Sequence, residues 1–473
     1  MKGNTQDRLI DSVRDRFGPS AAITDRADIE PWLIDWRGRF RGEAKAILTP
    51  ASTEEVAAII GIALESRVPL VPQGGNTSMV GGATPPADGS ALILSLRRMN
   101  RLRSISAEDR LAVAEAGMIL ADLHSCAAKV GMRFPLTLGA KGSATIGGLV
   151  STNAGGTQVL RFGTMRMLVA GLEAVLPDGS VHEGLSPLRK DNRGYDLNQL
   201  LIGSEGTLGI VTAASLRLVP APAGRALAWA GVASPRAALD LLRRLEARTG
   251  GIEGFELVPG DVLELVLKHI PGTRTPLEGK HAWHVLIEAT AEQNEDDPRG
   301  LLERLLAEGL ETGLVDDATV AGSEAQSTAL WRIRDSISEA ERAEGPTLAH
   351  DISVPVADMP AFMLAAAREV EQTFPGVTAS GFGHLGDGNI HFHVRAGDRV
   401  SADWYEREGP AITGLVHDLV TVAGGSISAE HGIGQMKLAE FERLTPPGRL
   451  NVLRAIKQAL DPHRLMNPGK LVR

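Results

Sequence analysis

Apolar side chains return at helical spacing in VAAIIGIALESR, directly behind Ser52-Thr53-Glu54-Glu55, and the combination predicts a capped helix with its apolar stripe on a core. MKGNTQDRLIDSVRDRFG and ILADLHSCAAKVG carry the same period. The short apolar runs Pro69-Leu70-Val71-Pro72 and ALILSL, bounded by turn residues, read as strands. In LEAVLPDGSV, Asp178-Gly179 punctuates two such runs and predicts a hairpin. The stretch IGSEGTLGIVTAASLRLVP ends extended at Val219-Pro220, and the composition shifts at APAGRA just after it. Beyond that shift, Ser234-Pro235 opens the helix PRAALDLLRRLEARTGG, with proline at its first position and glycine at its end. AWHVLIEAT reads as a strand, SEAQSTALWRIRDSISEAERAEG as one long helix and HDISVPV as a strand. Helices and strands mix without a strict βαβ alternation, so both halves read as α+β.

Length and composition narrow the picture. With 473 residues the chain exceeds one ordinary core, and at roughly 150 residues per domain two to three packed units are expected. A formal charge of -9 argues against nucleic acid, which calls for clustered lysine and arginine. The single cysteine, Cys126, excludes intrachain disulfides and thiolate zinc clusters, and its helical setting makes it a buried structural thiol. No run approaches about 18 apolar residues, so no integral membrane segment is expected. The N-terminal stretch mixes both charge signs and has no apolar core region, which argues against a signal or transit peptide and for a cytoplasmic protein.

The 53 glycines concentrate in three stretches of the first half: QGGNTSMVGGATPP, GAKGSATIGGLVSTNAGG and IGSEGTLGIVT. Glycine lets backbone N–H groups converge on a phosphate with no side chain in the way, so a long phosphate-bearing cofactor explains all three together. The common nucleotide motifs are absent: Lys141 in GAKGS has the wrong spacing for a P-loop, and no G-x-G-x-x-G joins a first strand to a helix.

PQGGNTS, GAKGSATIGGLVSTNAGG, RFGTM, IGSEGTLGIVT and the C-terminal NPGK resemble, in that order, the flavoprotein family of vanillyl-alcohol oxidase, and within it the D-2-hydroxyacid dehydrogenase branch. The resemblance runs from about residue 40 to the end and implies an α+β fold: a two-subdomain PCMH-type FAD-binding domain with a ferredoxin-like cap. The implied bounds are 1–221 for the FAD domain, 222–425 for the cap and 426–473 for a returning segment. Carried over, Pro72, Gly74, Gly75, Asn76, Thr77 and Ser78 would cradle the pyrophosphate. Pro135, Gly139, Gly142, Ser143, Ile146, Gly147, Asn153 and Gly155 would line the ring and ribityl chain, with Glu205 and Ile210 near the adenosine half and Asn467 and Lys470 returning to the ring. Where relatives with covalent flavin carry a histidine after the glycine pair, this chain has Asn76, so the FAD should be non-covalent.

The chain has 12 histidines, and three of them fall within GFGHLGDGNIHFHV. A reversal at Gly386-Asp387-Gly388 would bring His384 alongside His391, and period-two alternation puts His391 and His393 on one face, converging three imidazoles. Glu430, in SAEHGIG, supplies a carboxylate; two histidines and one carboxylate leave coordination positions open, as catalytic zinc or manganese sites do. His431, next in the chain, can take the hydroxyl proton of a 2-hydroxy acid as hydride leaves for the flavin. The resemblance gives His384, His391, Glu430 and His431 those same roles.

Arg334 and Ser338 in LWRIRDSISEA lie one helical turn apart, and the resemblance places both on substrate carboxylate. Two positions depart from the family pattern: Ala349 stands where relatives carry lysine, and His393 where the human-type enzyme has asparagine. The expected activity is oxidation of a D-2-hydroxy acid, of the D-2-hydroxyglutarate, D-malate or D-lactate type. A glycolate oxidase flavin subunit acting in a complex is the alternative, and a metallohydrolase is the reading from another class. An electron-transfer flavoprotein or a quinone is the expected acceptor, and the expectation admits a homodimer.

Overall fold

The computed structural model describes residues 2–186, 188, 190–293, 297–397 and 403–473. The chain divides into two compact units. One comprises Met1–Gly156, Gly163–Ala221 and Glu430–Arg473, the other Thr157–Phe162 and Pro222–Ala429.

In the first unit Ser52 caps the helix Thr53–Ser66 by accepting from the Glu55 N–H, and Glu55 reaches back to the N–H of Ala51. This helix and Lys2–Phe17 lay Val56, Ile59, Ile60, Leu9, Ile10 and Val13 over Leu70, Leu92 and Leu94, forming one core. The sheet beneath orders Ala22–Ile23, Ile47–Leu48, Leu92–Ser95 and Leu70–Gln73, with the last three parallel. A second, antiparallel sheet orders Leu102–Ser106, Leu111–Glu115, Ile210–Arg217, Val169–Val175 and Val181–Gly184. Its last two strands form the hairpin read from LEAVLPDGSV, with Val175 opposite Val181 and Gly179 at φ +85° in the turn. Cys126 is half-buried rather than buried, because the nine-residue helix Leu120–Ala128 turns Leu120, Leu123 and Ala127 inward instead.

The second unit is built on seven strands: β1 (Gly224–Val232), β2 (Ile252–Pro259), β3 (Trp283–Ala291), β4 (Asp317–Val320), β5 (Thr347–Ser353), β6 (Val377–His384) and β7 (Asn389–Ala396). They pair antiparallel in the order β4-β1-β3-β2-β6-β7-β5. Both faces are covered. Ala226, Ala228 and Ala230 of β1 join Leu239, Leu242, Leu302 and Leu306 on one side, while Leu227 and Trp229 join Val262, Leu263, Ile333 and Ile337 on the other. Together with the first unit this is an α+β fold.

The segment expected as one long helix is two, Glu324–Asp335 and Ile337–Glu344, with Ser336 between them at φ -85°, ψ -2°. Serine competes for backbone hydrogen bonds and favours such junctions. Arg334 and Ser338 therefore stand on opposite sides of a break.

Candidate functional site

In the first unit the strand Leu70–Gln73 delivers Pro72 into the loop Gly74–Ser78. A Cβ on Gly74 would lie 2.2 Å from Thr145 Oγ1, and one on Gly75 would lie 1.9 Å from the Ser143 carbonyl oxygen, so the two glycine-rich loops meet only because side chains are missing. Among the described residues, no backbone N–H from Gly74 to Met79 is donated to a protein acceptor, although the loop is only partly exposed. A run of undonated amides is a nest for an anion, and it fits the pyrophosphate of FAD. Gly139 and Gly142 face open space and Ser143 is exposed, while Pro135, Ile146, Gly147 and Gly155 are buried. Asn153 ends the helix Ile146–Thr152 at φ +49° and accepts the Arg166 N–H on Oδ1.

Several expected contacts are engaged within the protein. Asn76 donates Nδ2 to the Ile34 carbonyl. Ile210 is packed into the core. Glu205 accepts the N–H groups of Ile433 and Gly434, both at 2.7 Å, and so shapes the loop that follows His431. Burial pushes the Glu205 carboxyl up, against those two amides and the charges of Lys437 and Lys470. Asn467 donates to the Glu205 carbonyl at 2.7 Å and the Gly82 carbonyl at 3.0 Å. Lys470 is buried, which pushes its ammonium down to about 8 against the attraction of Glu205. Glu430 and His431, at the start of the returning segment, are half-buried.

In the second unit, register builds a polar face. β7 runs between β5 and β6, with His391 opposite Asp351 and Phe382, and His393 opposite Ala349 and Ser380. Alternation puts His391, His393 and Arg395 on that face, while Ile390, Phe392 and Val394 enter the core behind it. The reversal after β6 sets the His384 ring 5.5 Å from that of His391. His393 has its own partner: its Nδ1 pairs with the buried carboxylate of Glu341, so two imidazoles converge and the third is held separately.

Glu256 of β2 links the histidine pair to Arg334. It lies opposite His384, with Oε1 2.6 Å from His384 Nδ1, and it accepts Arg334 Nε at 2.6 Å on Oε2. Burial pushes this carboxyl up, but Arg334 and His384 outweigh it and hold it well below the usual range. Arg334 also lies over Phe382, 5.4 Å from the ring centre. Burial, then the charges of Arg334 and His384, pushes His391 well below its ordinary value, leaving a neutral imidazole with a lone pair to give. Asp351, opposite it, accepts from Asn389 Nδ2 at 3.0 Å. This donor chemistry fits a divalent ion: a neutral histidine beside one whose other nitrogen is oriented by a carboxylate. Ser338 is half-buried, in the first turn of the helix Ile337–Glu344.

Sequence reasoning missed Glu256, Glu341 and Asp351 as partners of the histidines. A signal existed for the first: in IEGFELVP two glutamates interrupt a wholly buried strand, and a buried carboxylate needs a partner.

Residues 44–184 match the family model described as an FAD binding domain, and 221–471 match the C-terminal domain of FAD linked oxidases. The chain is 38 % identical over 466 residues to D-2-hydroxyglutarate dehydrogenase of Bos taurus, covering 97 % of this chain and 82 % of that protein. It is 36 % identical to the protein of the same name from Arabidopsis thaliana (98 % and 81 %) and from Xanthomonas citri pv. viticola (95 % and 93 %). Solved structures with the same fold include an alkyldihydroxyacetonephosphate synthase (TM-score 0.73, 17 % identity, 98 % and 86 % covered) and 4-ethylphenol oxidase from Gulosibacter chungangensis (0.70, 19 %, 99 % and 97 %). The bovine and Arabidopsis relatives are named mitochondrial, which overturns the cytoplasmic expectation, while the Xanthomonas protein carries no such designation. A helix of mixed charge at residues 2–17 is a poor reporter of compartment. Two matching models and relatives aligned over nearly all of this chain make it a member of the FAD-linked oxidase family, a flavoprotein oxidoreductase.

Proposed function

We propose that this protein is an FAD- and divalent-metal-dependent dehydrogenase that oxidises a D-2-hydroxy acid, D-2-hydroxyglutarate or a neighbour such as D-malate or D-lactate, to the 2-oxo acid. The observation that carries the reading is Glu256. One buried carboxylate lies against both a histidine of the metal-type pair and an arginine, and so orients the two side chains together. The names of the relatives support the same substrate class.

His384, His391 and Glu430 would hold zinc or manganese, a donor set that leaves room for a hydroxyl and a carboxylate together. Glu430 stands four residues past Ser426, which bridges to Ser353, and Ser353 shares a strand face with Asp351. When bound, the metal would supply a Lewis acid for the substrate hydroxyl and the flavin would supply the hydride acceptor. His431 takes the hydroxyl proton onto a ring nitrogen. Arg334 and Ser338 orient the carboxylate, and His393, held by Glu341, lines the substrate side. Gly74–Ser78 hold the pyrophosphate through their amides. One cysteine cannot ligate an iron–sulfur cluster, so electrons pass to a separate carrier, an electron-transfer flavoprotein or a quinone.

Anaerobic mixing with a panel of D- and L-2-hydroxy acids tests the reading. D-2-hydroxyglutarate or a close D-acid should bleach the flavin absorbance, and treatment with a chelator should abolish bleaching while the yellow colour stays. Bleaching by no D-acid overturns the activity. Full activity in enzyme that contains no metal by elemental analysis overturns the metal.

A further inference from the structure

Beside His391, the side chains of Arg334, His393 and Arg395 stand on or over the polar face of β5, β7 and β6, and the first two of these have carboxylate partners. Arg334 is bonded to Glu256, and His393 is paired with Glu341. Arg395 is not matched in this way. The only carboxylate within 4.0 Å of it among the described residues is Asp261, at 3.8 Å and itself 56 % exposed. The Arg395 side chain is only 13 % exposed, and its buried Nε meets no acceptor. A guanidinium held largely out of water with an unmet donor favours an anion, because leaving that donor unpaired is the costlier state.

Its surroundings are suited to one. Register sets Thr347 and Thr378 opposite Arg395, two small neutral residues. Ser380, opposite His393 and one step nearer the metal-type histidines, has a buried hydroxyl with no partner. His391, His393 and Arg395 follow each other along a single face, so an elongated ligand anchored at His391 extends past His393 toward Arg395. A three-carbon monoacid has nothing to offer there. We propose that Arg395, with the Ser380 hydroxyl, binds the second carboxylate of a hydroxy dicarboxylate whose 2-hydroxy acid end lies at His384 and His391; this rests on the dehydrogenase reading above. Arg395 then selects diacids over monoacids, and Arg334, tied to Glu256 and His384, serves the end common to both.

The test compares D-2-hydroxyglutarate with D-lactate in Arg395→Ala and Arg395→Lys. In Arg395→Ala, kcat/KM for the diacid should fall roughly ten- to a hundredfold, mainly through KM, with less than about a threefold change on D-lactate; Arg395→Lys should recover part of the loss. Flavin content and D-lactate turnover report whether each variant has folded. A measurement on the unaltered enzyme needs no variant: glutarate should inhibit at least about tenfold more tightly than butyrate. Equal losses on both acids, an unchanged diacid KM, or glutarate no better than butyrate would each overturn the proposal. Unaltered enzyme bleached by D-lactate but not by the diacid overturns this inference and leaves the dehydrogenase reading standing, whereas bleaching by neither removes both.

Discussion

Glu256 does at one residue what the histidine motif cannot do for itself. A metal-ligating imidazole needs its second nitrogen oriented, and that partner typically matters ten- to a hundredfold in metal affinity. Glu256→Gln keeps the shape but removes the charge shared between His384 and Arg334, so metal titration of chelator-treated enzyme should show a loss on that order while FAD content is unchanged. Unaltered metal affinity would mean that Glu256 does not orient His384. The motif itself was legible: two extended flanks around LGDGN bring the His384 ring beside that of His391, and alternation fixes the faces. Glu256 and Glu341 were not, because nothing local in the sequence ties them to a hairpin that they meet only through sheet order and helix packing. Asn76 raises a separate expectation. Its amide is bonded to Ile34, and no histidine stands beside the glycine pair, so acid precipitation should release all flavin into the supernatant.

At the scale of elements, strands and helices with strong periodicity were readable, and junctions were not. The helix predicted through Ser336 breaks there because propensity alone does not see the tertiary packing of Ile333 and Ile337 on either side. The six residues Thr157–Phe162 are subtler. They carry no strong breaker and yet join the second unit, where Arg161 donates to Glu253 at 2.7 Å, to Thr290 at 2.9 Å and to Glu292 at 2.6 Å. The side chain of Glu253 is fully buried, so Arg161→Ala removes the arginine from a buried ion pair, a change that typically costs about 3 to 5 kcal/mol. Leu160 packs on Gly386, in the reversal that carries His384. Arg161→Ala should therefore lower both the urea midpoint and turnover. A midpoint within experimental error of the unaltered protein would show that the pair is not holding the segment.

For the whole molecule, the α+β class followed from the mixture of periods, but the order of the seven-stranded sheet depends on pairings between distant segments that no local pattern encodes. One consequence of that order is an acid-sensitive core. β1 and β3 bring Trp229 and His284 together, with Trp229 Nε1 donating to His284 Nδ1 at 3.1 Å. His284 is 3 % exposed, and burial, with His281 beside it, lowers its pKa to about 4. Between about 6.5 and 4 the unfolded chain binds a proton at this site that the folded chain does not, so acid favours unfolding. The contribution to stability is complete above 6.5, shrinks as pH falls and levels off below about 4, amounting to roughly 2 kcal/mol lost by pH 5. Four of the six tryptophans, Trp229, Trp283, Trp331 and Trp404, belong to the second unit, so intrinsic fluorescence chiefly follows its unfolding. Glutamine can still accept from Trp229 and does not titrate. The urea midpoint of the tryptophan transition should therefore fall between pH 7 and 5 more steeply in the unaltered protein than in His284→Gln, while release of flavin from the first unit follows the same pH course in both. Parallel midpoints in the two proteins would assign the acid sensitivity to groups other than His284.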